Sequence, residues 1–442
     1  MREWINANET IRANDAETIQ SAIRLSLEDG CRKVVVPRYN ARTKSTVWSL
    51  PTSLQLPSDF TLILDNCYME QGLESYENLI TNERSHDMEY TNDIKNRAHN
   101  ISVIGEGNVT LSGGVHNNLL EATTRKYGQH SMWHQPIFYW HNVDGIRVEN
   151  VHVEHQRWWA FLHIFVSNVV LKNIDFFAYP HVPNMDGIDL RIGCDHFTIE
   201  NITGRTGDDI LALTALFGGG EVTRNVEGLP RHISNVKVRN IKADANTCYT
   251  VRLLNHDDNR LFNIDVDTIM DSSDPTSLNR MGAAVSIGSP FYFAVHPAVM
   301  GDTRDIHFQN VYTRGYGAVI INHVLQNALL ENLHTYGTTA HFGLYSFAEG
   351  MVADNVEIRH LFVDRVQTHD ENGEPVEEAL VGEVVSIPKL EGTLRMNDVQ
   401  ASVVRTGFSI QGGSGTLIAK DVKMDKVITE KKVADTASLV IE

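Results

Sequence analysis

The sequence predicts an all-β protein: a single right-handed parallel β-helix, covered at its N-terminal end by an amphipathic capping helix. Three observations predict it. A strand-like phrase recurs along the chain, the asparagines inside that phrase keep a near-constant spacing, and the segments alternate with period two rather than with a helical period. The phrase reads apolar–x–apolar–x–Asn–apolar, as in Ile146-Arg147-Val148-Glu149-Asn150-Val151, Val169-Val170-Leu171-Lys172-Asn173-Ile174 and Phe197-Thr198-Ile199-Glu200-Asn201-Ile202. It returns around Asn240, Asn310 and Asn332, and later with His360 or Asp421 in the asparagine position. Asn150, Asn173 and Asn201 are 23 and 28 residues apart, and Asn310 and Asn332 are 22 apart. The step of 39 from Asn201 to Asn240 marks an inserted loop. A period of this length means stacked repeats, and it is too short for a four-stranded propeller blade. The asparagine fits a turn, where its side chain bonds local backbone and tolerates unusual dihedrals. A single coil cannot bury its inner face alone, so coils stack.

The elements follow in order. Asn14 and Asp15 stand before Ala16–Leu27, whose apolar positions 19, 22, 23 and 27 share one helical face, and Gly30 ends the helix. Lys33–Pro37 reads as the first strand. Residues 70–98 are polar and lack the repeat, so they read as a loop excursion, and residues 369–383 read as another. The coils over 136–290 carry the chemistry discussed below, and those over 300–442 continue the stack. No linker divides the chain, which therefore reads as one domain, 1–442.

Composition narrows the function. The 442 residues hold 38 Lys+Arg against 56 Asp+Glu, a formal charge of −18. Nucleic-acid binders carry a basic face, and so do proteins drawn to anionic membranes. No run approaches the ~20 apolar residues of a membrane helix. The start, Met1-Arg2-Glu3-Trp4, carries charge where a secretion leader is apolar, which points to a cytoplasmic protein unless a leader has been removed. Cys31, Cys67, Cys194 and Cys248 are widely spread, so free thiols are expected rather than a disulfide framework or zinc site.

The chemical signal is a set of carboxylates. Asn184-Met185-Asp186-Gly187-Ile188-Asp189 precedes one repeat strand, and Thr206-Gly207-Asp208-Asp209-Ile210 follows the next. Asp186 and Asp208 are 22 residues apart, one coil. Residues one coil apart lie roughly 4.8 Å apart, the strand spacing. Crowded carboxylates do not all ionise easily, so one is expected to hold its proton. A protonated carboxyl beside an ionised one is the equipment of glycoside hydrolysis. Asp189 suits a supporting role.

These residues, with their neighbours, resemble glycoside hydrolase family 28, the polygalacturonases, over about residues 10–290. Asn184-Met185-Asp186-Gly187 resembles the family's Asn-Thr-Asp-Gly, and Gly207-Asp208-Asp209 its Gly-Asp-Asp one coil later. Arg157-Trp158-Trp159 with His163 matches its aromatic-rich coil, and Gln135–Trp140 the phrase that opens the region. The resemblance implies an inverting hydrolase that needs no metal or other cofactor. It implies Asp208 as the general acid, with Asp186 and Asp209 holding and deprotonating the attacking water.

The match breaks further on. Thr247–Leu253 falls where the family carries Gly-His-Gly, so Tyr249 stands in the histidine's place. Ala283–Ser289 falls where the family carries Arg-Ile-Lys, and it holds no cation. Arg252 is the cation nearby that can bind a carboxylate bidentately. A neutral sugar, or a terminal uronate met by Arg252, fits this better than a polyanion. An exo action on a short oligosaccharide follows.

Trp158, Trp159, His181 and Asn184 are further candidates for substrate contact, with Tyr179 beside His181 and Arg280 in the loop before Val285. On alternating strand faces only one of the two tryptophans points outward. His155 and His163 precede the aspartates, and the segment with His130, His134 and His141 lacks zinc spacing, so no metal site is expected. A polysaccharide lyase, an isomerase or transglycosidase, and a non-catalytic carbohydrate-binding β-helix remain open. In each case the partner is an oligosaccharide.

Overall fold

The computed structural model describes residues 2–116, 125–126, 129–130, 132–180, 182–218, 220–274, 282–288, 296–337, 341–366, 372 and 382–442. They form two compact units, Met1–Ala212 with Gly218–His232 and Leu213–Phe217 with Ile233–Glu442. Each is built of parallel strands stacked coil on coil, the parallel β-helix that the repeat predicts.

The first unit opens with the expected helix, Asp15–Glu28, whose N-cap Asn14 accepts the Glu17 N–H. Ile19, Ala22 and Ile23 are buried, while Leu27 is half-buried. Gly30 follows with φ +76°, the left-handed stop that glycine adopts without strain. The helix start is anchored by the buried Asp15, whose carboxylate accepts from Asn40, from the Ser49 N–H and from the Arg42 Nε at 2.6 Å. Lys33–Pro37 is the predicted strand, aligned with Phe60–Asp65.

The polar stretch 70–98 only partly leaves the ladder. Tyr68–Gln71 pairs with Val47–Leu50, and Ile80–Asn82 with Leu54–Leu56 and Phe138. These strands are three or four residues long, too short to show a period, so the sequence hid them. The excursion proper holds two single-turn helices, Met88–Thr91 and Ile94–Asn96. Of the second expected loop, 369–383, all but residues 372, 382 and 383 lies outside the described residues.

The regular asparagines turn out to bend strands rather than end them. Phe138–Glu154 and Phe161–Phe177 are each 17 residues long, and each runs through most of one coil. Asn150, Asn173 and Asn201 sit in left-handed backbone, with φ of +60°, +55° and +58°. Asparagine tolerates that region better than most residues. Their side chains form a ladder: Asn173 donates to Asn150 at 2.8 Å and Asn201 to Asn173 at 2.9 Å. At these corners each amide donates to the preceding coil, Asn150 to the Gly105 carbonyl. Inside the coils Val148, Leu171 and Ile199 stack in register and are fully buried. Each such aliphatic side chain contributes roughly 1.5–3 kcal/mol.

The second unit repeats the plan. Asn332 donates to Asn310 at 3.0 Å, and His360 and Asp398 continue the column with a 2.8 Å hydrogen bond. One corner breaks the rule. Thr268, in register between Asn240 and Asn310, has φ +69°. A β-branched residue is strained there by about 1–3 kcal/mol. Asn310 consequently donates to Asp267 instead of to the corner residue. Thr268→Asn is expected to raise stability by about 1 kcal/mol, read as a higher urea midpoint of this unit; an unchanged or lower midpoint would show that the corner is not strained.

Candidate active site

The aspartates lie in the first unit, where two turns of successive coils meet. Ile188–Leu190 aligns with Phe161–His163, which fixes the turn before it. The Gly207 N–H donates to the Met185 carbonyl at 3.0 Å, and the Gly187 N–H donates to the Asp209 carbonyl at 2.9 Å. In an unbroken parallel ladder a single residue facing Asp186 would make both bonds. Here they fall to Gly207 and Asp209, so the later coil bulges by two residues and Asp208 stands at the apex. The two glycines permit this approach. A Cβ on Gly187 would meet the Ile210 carbonyl oxygen at 2.5 Å, and one on Gly207 the Val182 oxygen at 2.5 Å.

The bulge separates the carboxylates by exposure. Asp208 is half-exposed, whereas Asp186 is 5% exposed and Asp209 is fully buried. The Asp208 side chain accepts the Asn184 N–H at 3.1 Å and the Asp209 N–H at 3.0 Å. Asn184 therefore belongs to the same turn, in left-handed backbone with φ +57°, and contacts Asp208 through its main chain. Asp189 is buried on the strand below, where its carbonyl faces His163 Nδ1 at 3.1 Å.

Gln156 is the residue that sequence reasoning missed. It is fully buried, and its amide donates to both the Met185 and Asp186 carbonyls at 3.2 Å, so it holds the Asp186 turn in place. Nothing local in the sequence marks it.

Trp158 and Trp159 do not occupy alternating strand faces. Residues 155–160 form the bend between two strands, and the tryptophans are 8% and 6% exposed. Trp159 meets Trp133 edge to face at 6.0 Å, and the Arg191 guanidinium lies 5.4 Å from its ring. Arg191 is in turn paired with Glu221. Arg157 is fully buried, donating to the carbonyls of Gly113, Gln71, Gly72 and Ser75, and desolvation lowers its pKa to about 10. His163 is a core residue; burial lowers its pKa to about 4. His141 is likewise buried, with Nε2 2.9 Å from the Arg224 carbonyl and a pKa lowered to about 4. His134 stacks on His86 at 3.8 Å.

His155 and Tyr179 stack at 4.5 Å and 12°, beside the aspartate turn, and Tyr179 is 49% exposed. They line a cavity of about 390 Å³ together with Tyr68, Glu70, Ser112, Glu154 and Met185. His181 and Arg280 lie outside the described residues. In the second unit, Tyr249 and Arg252 are brought together: they share a cavity of about 160 Å³ with Ser286 and Phe347, and the guanidinium lies 4.9 Å over the tyrosine ring. Arg252 is in register with Ser286, one coil on.

No protein-family model matches the chain, and no curated protein matches it by sequence. Solved structures resemble it in fold. The catalytic domain of a GH87 α-1,3-glucanase in complex with tetrasaccharides superposes with a TM-score of 0.54 at 13% identity, covering 99% of this chain and 68% of that one. A polygalacturonase from Erwinia carotovora ssp. carotovora gives 0.50 at 13%, covering 98% and 93%. A surface adhesin of Streptococcus pneumoniae gives 0.50 at 12%, with the same coverages of 98% and 93%. The chain thus has a β-helix fold found in glycosidases and in an adhesin, so its activity must be argued from its own site. Among the described residues no helix is long and apolar enough to cross a membrane.

Proposed function

We propose that the protein is an inverting, exo-acting glycoside hydrolase that cleaves a short oligosaccharide, pectin-related or of other plant or microbial origin. The observation that carries the proposal is the two-residue bulge, which lifts Asp208 to a half-exposed apex and leaves Asp186 and Asp209 buried beside it. The reaction is a single displacement. The Asp208 carboxyl gives its proton to the glycosidic oxygen as that bond breaks. Asp186 and Asp209 orient a water on the opposite face of the sugar and accept its proton as the new C–O bond forms. The anomeric centre inverts, and one reducing end appears per bond cleaved. Asn184 keeps Asp208 aimed, and Gln156 keeps the Asp186 turn in place.

The test is a reducing-end screen against galacturonide, rhamnosyl, galactosyl and fructosyl oligosaccharides, with NMR of the first-formed anomer. One cleaved class, released as the inverted anomer from a chain end, is the expected result. A retained anomer excludes the single displacement. An unsaturated product absorbing in the ultraviolet would place the protein among the lyases.

A further inference from the structure

The cavity beside the aspartate turn has a chemistry of its own. Its volume of about 390 Å³ lies within the roughly 300–1,000 Å³ typical of small-molecule sites. Its wall is built by three successive coils. Glu70, Ser112 and Glu154 stand in one column, held in register by strand pairing. The two carboxylates are therefore two coils apart, about 9–10 Å along the stack. Tyr68 crosses the column to donate its hydroxyl to Glu154 at 2.9 Å. The Tyr179–His155 stack forms the side nearest the aspartates, and Met185, the residue before Asp186, completes it.

Charge decides what fits. No lysine or arginine among the described residues lines this cavity. Among the described residues, no hydrogen bond or ion pair engages the Glu70 carboxylate. Arg157 lies behind the wall, and four backbone carbonyls take up its N–H groups. His152 is committed to Asp175 at 2.7 Å and stands 3.8 Å from Glu154. Among the described residues, a sugar acid entering here would meet two carboxylates, and the nearest guanidinium, that of Arg157, already faces Glu70 and is bonded to backbone carbonyls. A neutral sugar would meet acceptors for its hydroxyls and an aromatic face for its C–H surface.

We propose that this cavity binds one neutral sugar unit of the substrate, with Glu70 accepting from adjacent hydroxyls and Tyr179 packing against the ring, and that it excludes uronates. The proposal rests on the hydrolase reading for its position beside the aspartates, and its test is independent of turnover. Full-length protein carrying Asp208→Asn is titrated calorimetrically with galactosyl, rhamnosyl, fructosyl and galacturonide oligosaccharides. One neutral class is expected to bind and the galacturonides not to. Adding Glu70→Gln or Tyr179→Ala is expected to weaken that binding about tenfold, since each removes a charge-assisted acceptor or a stacking face. Galacturonide binding tighter than every neutral class overturns the proposal. So does binding to no neutral class, or neutral binding that shifts less than twofold in both variants. Cleavage that Asp208→Asn abolishes, with binding indifferent to Glu70 and Tyr179, removes the cavity's role and keeps the hydrolase. Binding that depends on Glu70 in a protein that cleaves nothing removes the hydrolase and keeps the cavity.

Discussion

Asp208→Asn is expected to lower turnover of poorly activated glycosides by about 10²–10⁴-fold, the usual worth of a positioned general acid. The substitution keeps the shape and removes the transferable proton. It also changes the hydrogen bonding: two backbone N–H groups, of Asn184 and Asp209, donate to separate oxygens of the Asp208 carboxylate. An amide has one acceptor oxygen, so one of these bonds is lost, at a cost of about 1 kcal/mol. The variant should therefore fold, with a slightly lower urea midpoint. The sharper readout is the leaving group. Glycosides that leave as stable anions need no proton, so their hydrolysis should fall far less than that of alkyl glycosides. Equal losses on both would mean that Asp208 does not act as the acid, and full activity on both would remove it from the site.

The second large effect is on stability in mild acid. His141 and His163 are fully buried and neutral, and burial lowers both pKa values to about 4. Burial also pushes His86 well down. In the unfolded chain a histidine titrates near 6.5. A folded pKa below the unfolded one means that the unfolded chain binds the proton first. The stabilisation is whole above about pH 6.5 and is lost as pH falls toward 4. At pH 5 each of His141 and His163 should cost roughly 2 kcal/mol relative to pH 7.5. All six tryptophans lie between positions 4 and 159, so their fluorescence follows the first unit. Its urea midpoint should drop clearly from pH 7.5 to 5. A flat profile over that window would mean that these histidines are not held neutral in the folded protein.

Much of this protein is written locally. The helix of residues 15–28 and the strand of residues 33–37 could be read because capping, amphipathic spacing and alternation act over a few residues. The coils could be read because each corner needs a residue that accepts left-handed backbone, and asparagine supplies it at Asn150, Asn173 and Asn201. The same logic hid the coil through Thr268, which takes the corner conformation without the expected side chain. It also hid the short strands Tyr68–Gln71 and Ile80–Asn82, which hold only three or four residues and borrow their order from neighbouring coils.

The candidate site divides in the same way. Sequence alone determined that Asp208 and Asp209 follow Asp186 by about one coil, because coil length is a count of residues. Only the tertiary structure decided that the later coil bulges by two residues, that Asp208 is the accessible member, and that Gln156 holds the turn beneath Asp186. Only the tertiary structure brought Glu70 and Glu154 into one cavity beside Tyr179. The physical reason is that a strand's period fixes which side chains face outward, whereas the loops between coils fix which of those side chains meet. Loop conformation is set by packing against other coils, which no short stretch of sequence carries.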